Sequence, residues 1–430
     1  MSDSSESLTA TLLGALQGSI SVLLTALAGY LTARFGLLDR NSIKKISNVS
    51  SLLFLPCLIV VEMGPQLTVK DISKLWIMPV WGAFSSLVAH LAGWAGMAAL
   101  KLPAWTVVAS GRANANALPL LLLQSLESTG VLKSLSGEGE SPSETLDRAK
   151  SIVLLNSIVQ QMVTFCLGPV LFKIDKDRKS AGQDDDPEGL RPGRGPSVYP
   201  TVQDREHVGL LHDYDGDYGG DDYTEPLHQL ENVPNMDIHS RLPPGLSHAI
   251  KVASKPVKKI ASFFNPPLIG GIVALILGIT PPLHEAFLSK DGIFYNTITE
   301  AVSNLGDLFV VLQMYVLGAQ LAIVKSANPG AKPTLFVLFI RYIMMPAASL
   351  AFVLFTAGRG WYTNDPLVWF LLILVPCGPS AMLLMNLAEL MNIDQGPVAG
   401  MLTVSYLISP LIAIVCTLGL QVVDKVQQRS

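Results

Sequence analysis

The sequence predicts an all-α membrane protein, and three observations carry that prediction. Half of the 430 residues are apolar and only 15% are charged, with a positive mean hydropathy, a balance beyond that of an ordinary soluble chain. The apolar residues are bunched into about ten stretches, each near the roughly 20 residues that cross a hydrocarbon core as helix. Two of those stretches are interrupted at corresponding places in the two halves, Gly111-Arg112-Ala113-Asn114-Ala115-Asn116-Ala117-Leu118-Pro119 and Pro376-Cys377-Gly378-Pro379-Ser380. Each follows a matching basic-aromatic-Met-Pro signal, Lys74-Leu75-Trp76-Ile77-Met78-Pro79 and Arg341-Tyr342-Ile343-Met344-Met345-Pro346. Paired interrupted helices mark the substrate site of a secondary carrier.

The first five stretches run from Leu8 to Phe35, Ile43 to Met63, Ile72 to Leu100, Trp105 to Leu126 and Lys150 to Phe172. Met1 to Ser7 is acidic and lacks the basic start and cleavage site of a secretory signal, so the first stretch counts as a retained span. The second five run from Pro266 to Leu283, Ile298 to Val324, Thr334 to Ala357, Leu367 to Met391 and Val398 to Val423. Hydrocarbon offers no partner for backbone polar groups, and the length and Leu/Ala content of these stretches favour helices over closed strands.

Three segments follow: residues 1–173 with five spans, a linker over 174–258, and residues 259–430 with five more. The linker is rich in Asp, Gly, Pro and Ser. Its run Asp213-Tyr214-Asp215-Gly216-Asp217-Tyr218-Gly219-Gly220-Asp221-Asp222 buries too little apolar surface to offset its ordering entropy, so disorder is expected. The Asp spacing resembles a calcium loop but lacks the closing Glu. All four cysteines (Cys57, Cys166, Cys377, Cys416) fall in apolar stretches without C-x-x-C spacing, as small core residues do.

Basic residues cluster after the first span (Arg34, Arg40, Lys44, Lys45) and on both sides of the linker (Lys173, Lys176, Arg178, Lys179; Lys251, Lys255, Lys258, Lys259). These connections share one side of the membrane, and the excess of Lys and Arg assigns it to the cytosol. The termini then face the lumen or exterior.

Proline has no N–H and clashes with the preceding turn, so Pro119 and Pro379 are expected to help interrupt their helices. The freed backbone groups need a polar cavity or side-chain partners. Asn114 and Asn116 supply donors and acceptors from one half, and Ser380 and the backbone around Gly378 from the other. Half-helix N-termini add partial positive charge suited to a carboxylate. The competing reading is that the prolines kink packed helices and the asparagines tie neighbouring spans.

Charged residues inside spans cost about 2.5 to 3.5 kcal/mol each at a span centre. The three main ones are Arg112, Asp307 and Arg341. Arg112 is suited to grip a carboxylate, or else snorkels to headgroups; Asp307 and Arg341 are placed to neutralise each other. Gln160 and Gln161 lie mid-span in the fifth helix, where one of the pair faces the cavity. His90 reads as a packed, hydrogen-bonded histidine rather than a proton switch. There is no G-x-S-x-G, H-E-x-x-H, Walker sequence or dinucleotide fingerprint, so an enzyme is not expected, nor a cofactor, metal or nucleic-acid partner.

Leu-Phe-Leu-Pro-Cys at 53–57, Trp-Ile-Met-Pro-Val at 76–80 and Asn116-Ala117-Leu118-Pro119-Leu120 resemble the auxin efflux carrier superfamily. Asn265-Pro266-Pro267, Pro281-Pro282-Leu283 and Pro379-Ser380-Ala381-Met382 are similar to its PIN-LIKES branch. The resemblance covers both membrane halves and not the linker. It implies ten helices as two inverted five-helix repeats with broken, crossing fourth and ninth helices. It further implies a dimerising scaffold (residues 8–63 and 266–324) and a transport domain (72–172 and 334–423) moving as an elevator. The substrate class it implies is auxin-like weak acids, and the compartment is the endoplasmic reticulum. The plant carriers have a secondary polar site, which maps here to Asp71 and Lys74. Related antiporters place acidic residues beside the crossing, whereas neither broken segment here contains Asp or Glu. Uniport of a small amphipathic organic acid is therefore expected, driven by about 2.3 kcal/mol per charge per 100 mV. The alternatives are a transporter-like receptor signalling through the linker and a sodium-coupled organic-anion symporter.

Overall fold

A computed structural model describes residues 2–68, 74–137, 139–181, 266–324, 326–391 and 394–429. The regular elements among them are all helical. In the first half these are α1 (Ser2–Arg34), α2 (Arg40–Gln66), α3 (Ile77–Leu100), α4 (Trp105–Gly111), α5 (Ala117–Ser128) and α6 (Pro142–Ala181). The second half holds α7 (Pro266–Ile279), α8 (Tyr295–Ile323) and α9 (Ala331–Thr356). These are followed by α10 (Pro366–Leu374), α11 (Leu383–Met391), α12 (Gln395–Leu407) and α13 (Ile412–Gln427).

Local chemistry sets several of these ends. Asp39 caps α2 by accepting from the Ser42 N–H at 2.9 Å. Asp365 does the same for Leu367 at 2.9 Å, with Pro366 in the first turn of α10, where its missing N–H is no loss.

Six helices, α1 from Thr9, α2, α3, α8, α9 and the stretch Ser409–Gln427, are long and apolar enough to cross a membrane among the described residues. The expected sixth span is a helix that bends by 98° into Pro281–Leu288, because Pro281 and Pro282 cannot continue it. The fourth and ninth are each split into two short helices. The tenth is divided between α12 and α13 at a tight turn, Ser409–Leu411, which contains Pro410. Of the expected linker, residues 174–181 continue α6; the rest, including the Asp213–Asp222 run, lies outside the described residues.

The short helices sit at the centre. Every residue of α4 is buried, and Leu367 through Leu374 of α10 are 2% exposed or less, the pattern of helices enclosed on all sides. Around them, α1, α2, α3 and α8 turn large apolar side chains outward, among them Leu24, Leu52, Trp94 and Val311. Such an exterior suits acyl chains rather than water. Cys377 and Cys416 are buried and Cys57 half-buried, all three as free thiols.

Two glycines fix the approach of α1 to α8. A Cβ at Gly29 would collide with the Tyr315 carbonyl, and one at Gly318 with the Ala26 carbonyl, so the two backbones touch as in small-residue membrane interfaces. Charged contacts tie other elements. Lys150 of α6 pairs with Glu62 of α2 at 2.9 Å, and Arg148 bonds both Glu140 and Asp365, joining the two halves at the start of α10.

Two predictions follow from this packing. Gly318→Val forces α1 and α8 apart, and overpacking of this kind costs about 1–3 kcal/mol; a lowered melting temperature of the purified protein in detergent checks it. The Arg148 guanidinium donates to both Glu140 oxygens at 2.8 and 2.7 Å and holds that carboxyl below its ordinary value. A depressed carboxyl stabilises the fold above its unfolded pKa, and the contribution is lost as pH falls through the lower folded value. The stability gap between wild type and Glu140→Gln is therefore expected to close as pH drops below about 4.3, read from melting curves across pH.

Candidate functional site

The two interruptions meet. After Gly111 the chain is extended, with Arg112 in the β region, and helix resumes at Ala117. After Leu374 the chain opens into a loop and resumes as helix at Leu383. The open segments run antiparallel and pair at Ala113 and Ser380. The Asn114 N–H donates to the Pro379 carbonyl at 2.8 Å, and the Ala381 N–H to the Arg112 carbonyl at 3.1 Å. Each break thus supplies partners for the backbone of the other, as buried polar backbone requires. Gly378 has φ +95°, which glycine adopts without strain. Pro119 plays a different part from the one expected. It lies in the first turn of α5, where its missing N–H has no intrahelical acceptor to lose, so the break is made upstream, by residues 112–116.

Side chains strap this crossing from every direction. The Ser380 hydroxyl donates to the Ala109 carbonyl at 2.7 Å, and the Ser380 N–H donates to the Ser405 hydroxyl at 3.2 Å. Asn114 donates through Nδ2 to the Tyr406 hydroxyl at 2.7 Å, while its Oδ1 accepts from the Asn116 N–H at 3.3 Å. Arg341 is 1% exposed. Its Nε donates to the Gly378 carbonyl at 3.0 Å and its Nη1 to the Ser110 carbonyl at 3.4 Å. It projects from a widened turn, Ile340–Met344, just before Pro346; such turns accompany functional positions. A cation at the carbonyl end of α4 is also favoured by the helix dipole. The expected pairing of Arg341 with Asp307 does not form. Asp307 is exposed on α8, whereas Arg341 lies inside, held by carbonyls.

Arg112 does not snorkel. It is 4% exposed, with Nη1 donating to the Thr164 hydroxyl at 3.4 Å and a buried Nε that has no partner. Among the described residues no carboxylate pairs with Arg112 or Arg341. His90 packs against Gly111, where a Cβ would collide with its ring, and its Nδ1 donates to the Ser86 carbonyl at 2.7 Å.

A cavity of about 70 Å³ opens beside the crossing. That is well above the roughly 10–15 Å³ needed for a single water, so there is room for more than one. Its polar lining comes from Ser51 of α2, Arg112, Asn114 and Asn116 at the crossing, Gln161 of α6, Gln313 of α8 and Asn386 of α11. Among the described residues no acidic side chain lines it. The first residues of α11 and the residue before α5 also reach it, so two helix N-termini add partial positive charge. Gln160 turns away: its amide donates to Asn156 at 2.6 Å, which in turn donates to the Met78 carbonyl at 3.0 Å. Gln161, one helical step on, takes the cavity position. Lys74 is exposed at the start of the third span, and Asp71 lies outside the described residues. Gln313, Asn386, Thr164 and Tyr406 were not singled out from sequence. The available signal was a lone amide inside an apolar run, as in Val310–Met314 and Met382–Leu387.

Removing the Arg341 strap tests this geometry. Arg341→Met leaves two buried carbonyls without donors, at about 1–3 kcal/mol each, whereas Arg341→Lys has a single point charge in place of the fork. The expected order of melting temperature is wild type, then Lys, then Met, measured on purified protein.

Comparison with known proteins bears on the family of the chain. The sequence profile of the family described as "Membrane transport protein" matches residues 16–417. An uncharacterized transporter of Schizosaccharomyces pombe is 25% identical, with 91% of each chain covered. Protein PIN-LIKES 2 of Arabidopsis thaliana is 24% identical over 82% of this chain and 81% of its own, and Protein PIN-LIKES 5 is 23% identical over 91% and 93%. With its apolar helices, its paired helix breaks and a profile match across nearly its whole length, the chain belongs to the membrane transport protein family of the auxin efflux carrier type.

Proposed function

We propose that this protein is a secondary carrier of a small organic anion, an auxin-like weak acid, that works by uniport down the membrane potential. The observation that supports this reading best is a buried guanidinium, Arg112, beside a cavity without acidic lining, at the point where two helix breaks join. Burying a charge without a partner is costly, and an anionic ligand offsets that cost. In this reading Asn114, Asn116, Gly378, Pro379 and Ser380 form the floor of the substrate site. Pro119 starts the helix whose N-terminus faces the anion, and Gln161 replaces Gln160 as the wall.

The proposed architecture is ten crossings in two inverted repeats. Residues 1–173 and 259–430 are the repeats, and α4/α5 and α10/α11 are the broken fourth and ninth crossings. The order of elements supports this, since each half runs three helices, the first of the second half short and bent, then one broken pair and a further crossing. Helices α1, α2, α7 and α8 would form a dimerising scaffold against which the remaining helices move as an elevator. The Glu62–Lys150 pair and the contact from Gln313 Nε2 to Met382 Sδ at 3.2 Å would then bridge moving and fixed parts. Both must exchange partners as the site passes from one side to the other. Basic residues beside the first turn and the linker place that side in the cytosol and the termini in the lumen, with the endoplasmic reticulum as the proposed membrane.

Purified protein in liposomes at a clamped potential is the direct test, with a panel of labelled weak acids. Uptake is expected to follow the potential and to need neither a sodium nor a proton gradient beyond the effect of pH on substrate ionisation. Asn114→Ala and Asn116→Ala are each expected to lower uptake and affinity by about tenfold, the loss of roughly one buried hydrogen bond to a charged group, and Ser380→Ala to lower uptake by releasing the crossing from the Ala109 carbonyl. Unchanged uptake in variants that express normally would refute the assignment.

A further inference from the structure

The cavity is more polar than an amphipathic acid needs. Five side-chain amides line it, those of Asn114, Asn116, Gln161, Gln313 and Asn386, around one guanidinium. Two of their oxygens, Asn116 Oδ1 and Gln313 Oε1, are closed off from water and have no hydrogen-bond partner. For Gln313 the orientation is set by its neighbour, because Nε2 faces the Met382 sulfur at 3.2 Å and a thioether can only accept. Its oxygen is therefore the end left unpaired.

Resting on the carrier reading above, we infer that the transported anion carries an N–H or O–H donor beside its acidic group, and that Gln313 Oε1 accepts from it. The complementarity is directional. A guanidinium offers donors only, and a carboxylate offers acceptors only, so Arg112 matches the acid and leaves both amide oxygens unanswered. A plain carboxylic acid would seal them into a drier site, still unpaired. A donor on the ligand answers Gln313 Oε1, and a site built around such a bond rejects analogues that lack it. Asn116 belongs to the crossing and Gln313 to α8, two walls of the cavity, and the donor would sit at the α8 wall. At about 70 Å³ the cavity must widen to admit such a ligand, and separation of these walls is the movement that would uncover both oxygens.

Matched probes in liposomes at fixed potential test this. Indole-3-acetate is compared with its 1-methyl derivative, and 4-hydroxyphenylacetate with phenylacetate, in the wild type and in Gln313→Leu and Gln313→Glu. The donor-bearing acid of each pair is expected to be taken up at least about tenfold better by the wild type. That ratio is expected to fall towards one in Gln313→Leu and to persist in Gln313→Glu, which keeps an acceptor oxygen. Taking ratios within each variant removes differences in expression and overall rate, and ligand-induced thermal shifts give the same comparison for a variant that binds without transporting. Equal uptake within both wild-type pairs overturns the donor requirement while the carrier reading stands. A preference that survives in Gln313→Leu overturns the role of Gln313. Uptake of none of the four acids removes the carrier reading and this inference with it.

Discussion

The pairing of Ala113 with Ser380 is the constraint on which the architecture depends. Opening a helix in an apolar interior exposes amide and carbonyl groups that have nowhere to turn, at a cost of several kcal/mol each in hydrocarbon. Here the two openings are placed so that each supplies what the other lacks, through Asn114 to Pro379 and Ala381 to Arg112. That solution works only if both breaks reach the same point. It explains why α4 and α10 are enclosed by protein on every side while the long helices face outward. It also explains why polar side chains from α9 and α12 converge there rather than being spread along their helices.

The two buried arginines divide the electrostatic work. Arg341 donates to carbonyls from both broken segments, so its charge is used to hold the crossing closed. Arg112 makes one long contact to Thr164 and keeps an unpaired Nε. Arg341 also keeps an unpartnered Nη2, so the two differ in what they hold, two backbone carbonyls against one hydroxyl, rather than in having a free nitrogen. A span with two unpaired buried cations would be unstable, whereas backbone carbonyls at a helix end lessen the burden for one of them.

Much of this was legible in the sequence because proline, glycine and in-span polar residues carry strong local meaning. The helical class, the paired breaks at residues 111–119 and 376–380, and the presence of Arg112, Asn114 and Ser380 at those breaks could be read directly. What could not be read was direction. Adjacent glutamines 160 and 161 differ only in which way a helix turns them, and sequence places no helix face without its neighbours. Arg341 and Asp307 looked complementary by charge and proximity of spans, yet backbone carbonyls took the arginine. Pro119 looked like the breaker because proline usually is, but its position in the first turn makes it a starter. Tyr406 gave no signal, since a tyrosine in an apolar stretch is ordinary until an asparagine from the other half is found against it.

The contact of Gly29 with Tyr315 and of Gly318 with Ala26 bears on how the chain is made. Helix α1 is synthesised well before α8, which carries the surface it fits and lies on the far side of the linker. Until α8 is inserted, the groove along α1 is filled only by lipid. The amino-terminal half therefore cannot reach its final packing alone, and closing this seam is a late step that joins the two halves during assembly in the membrane.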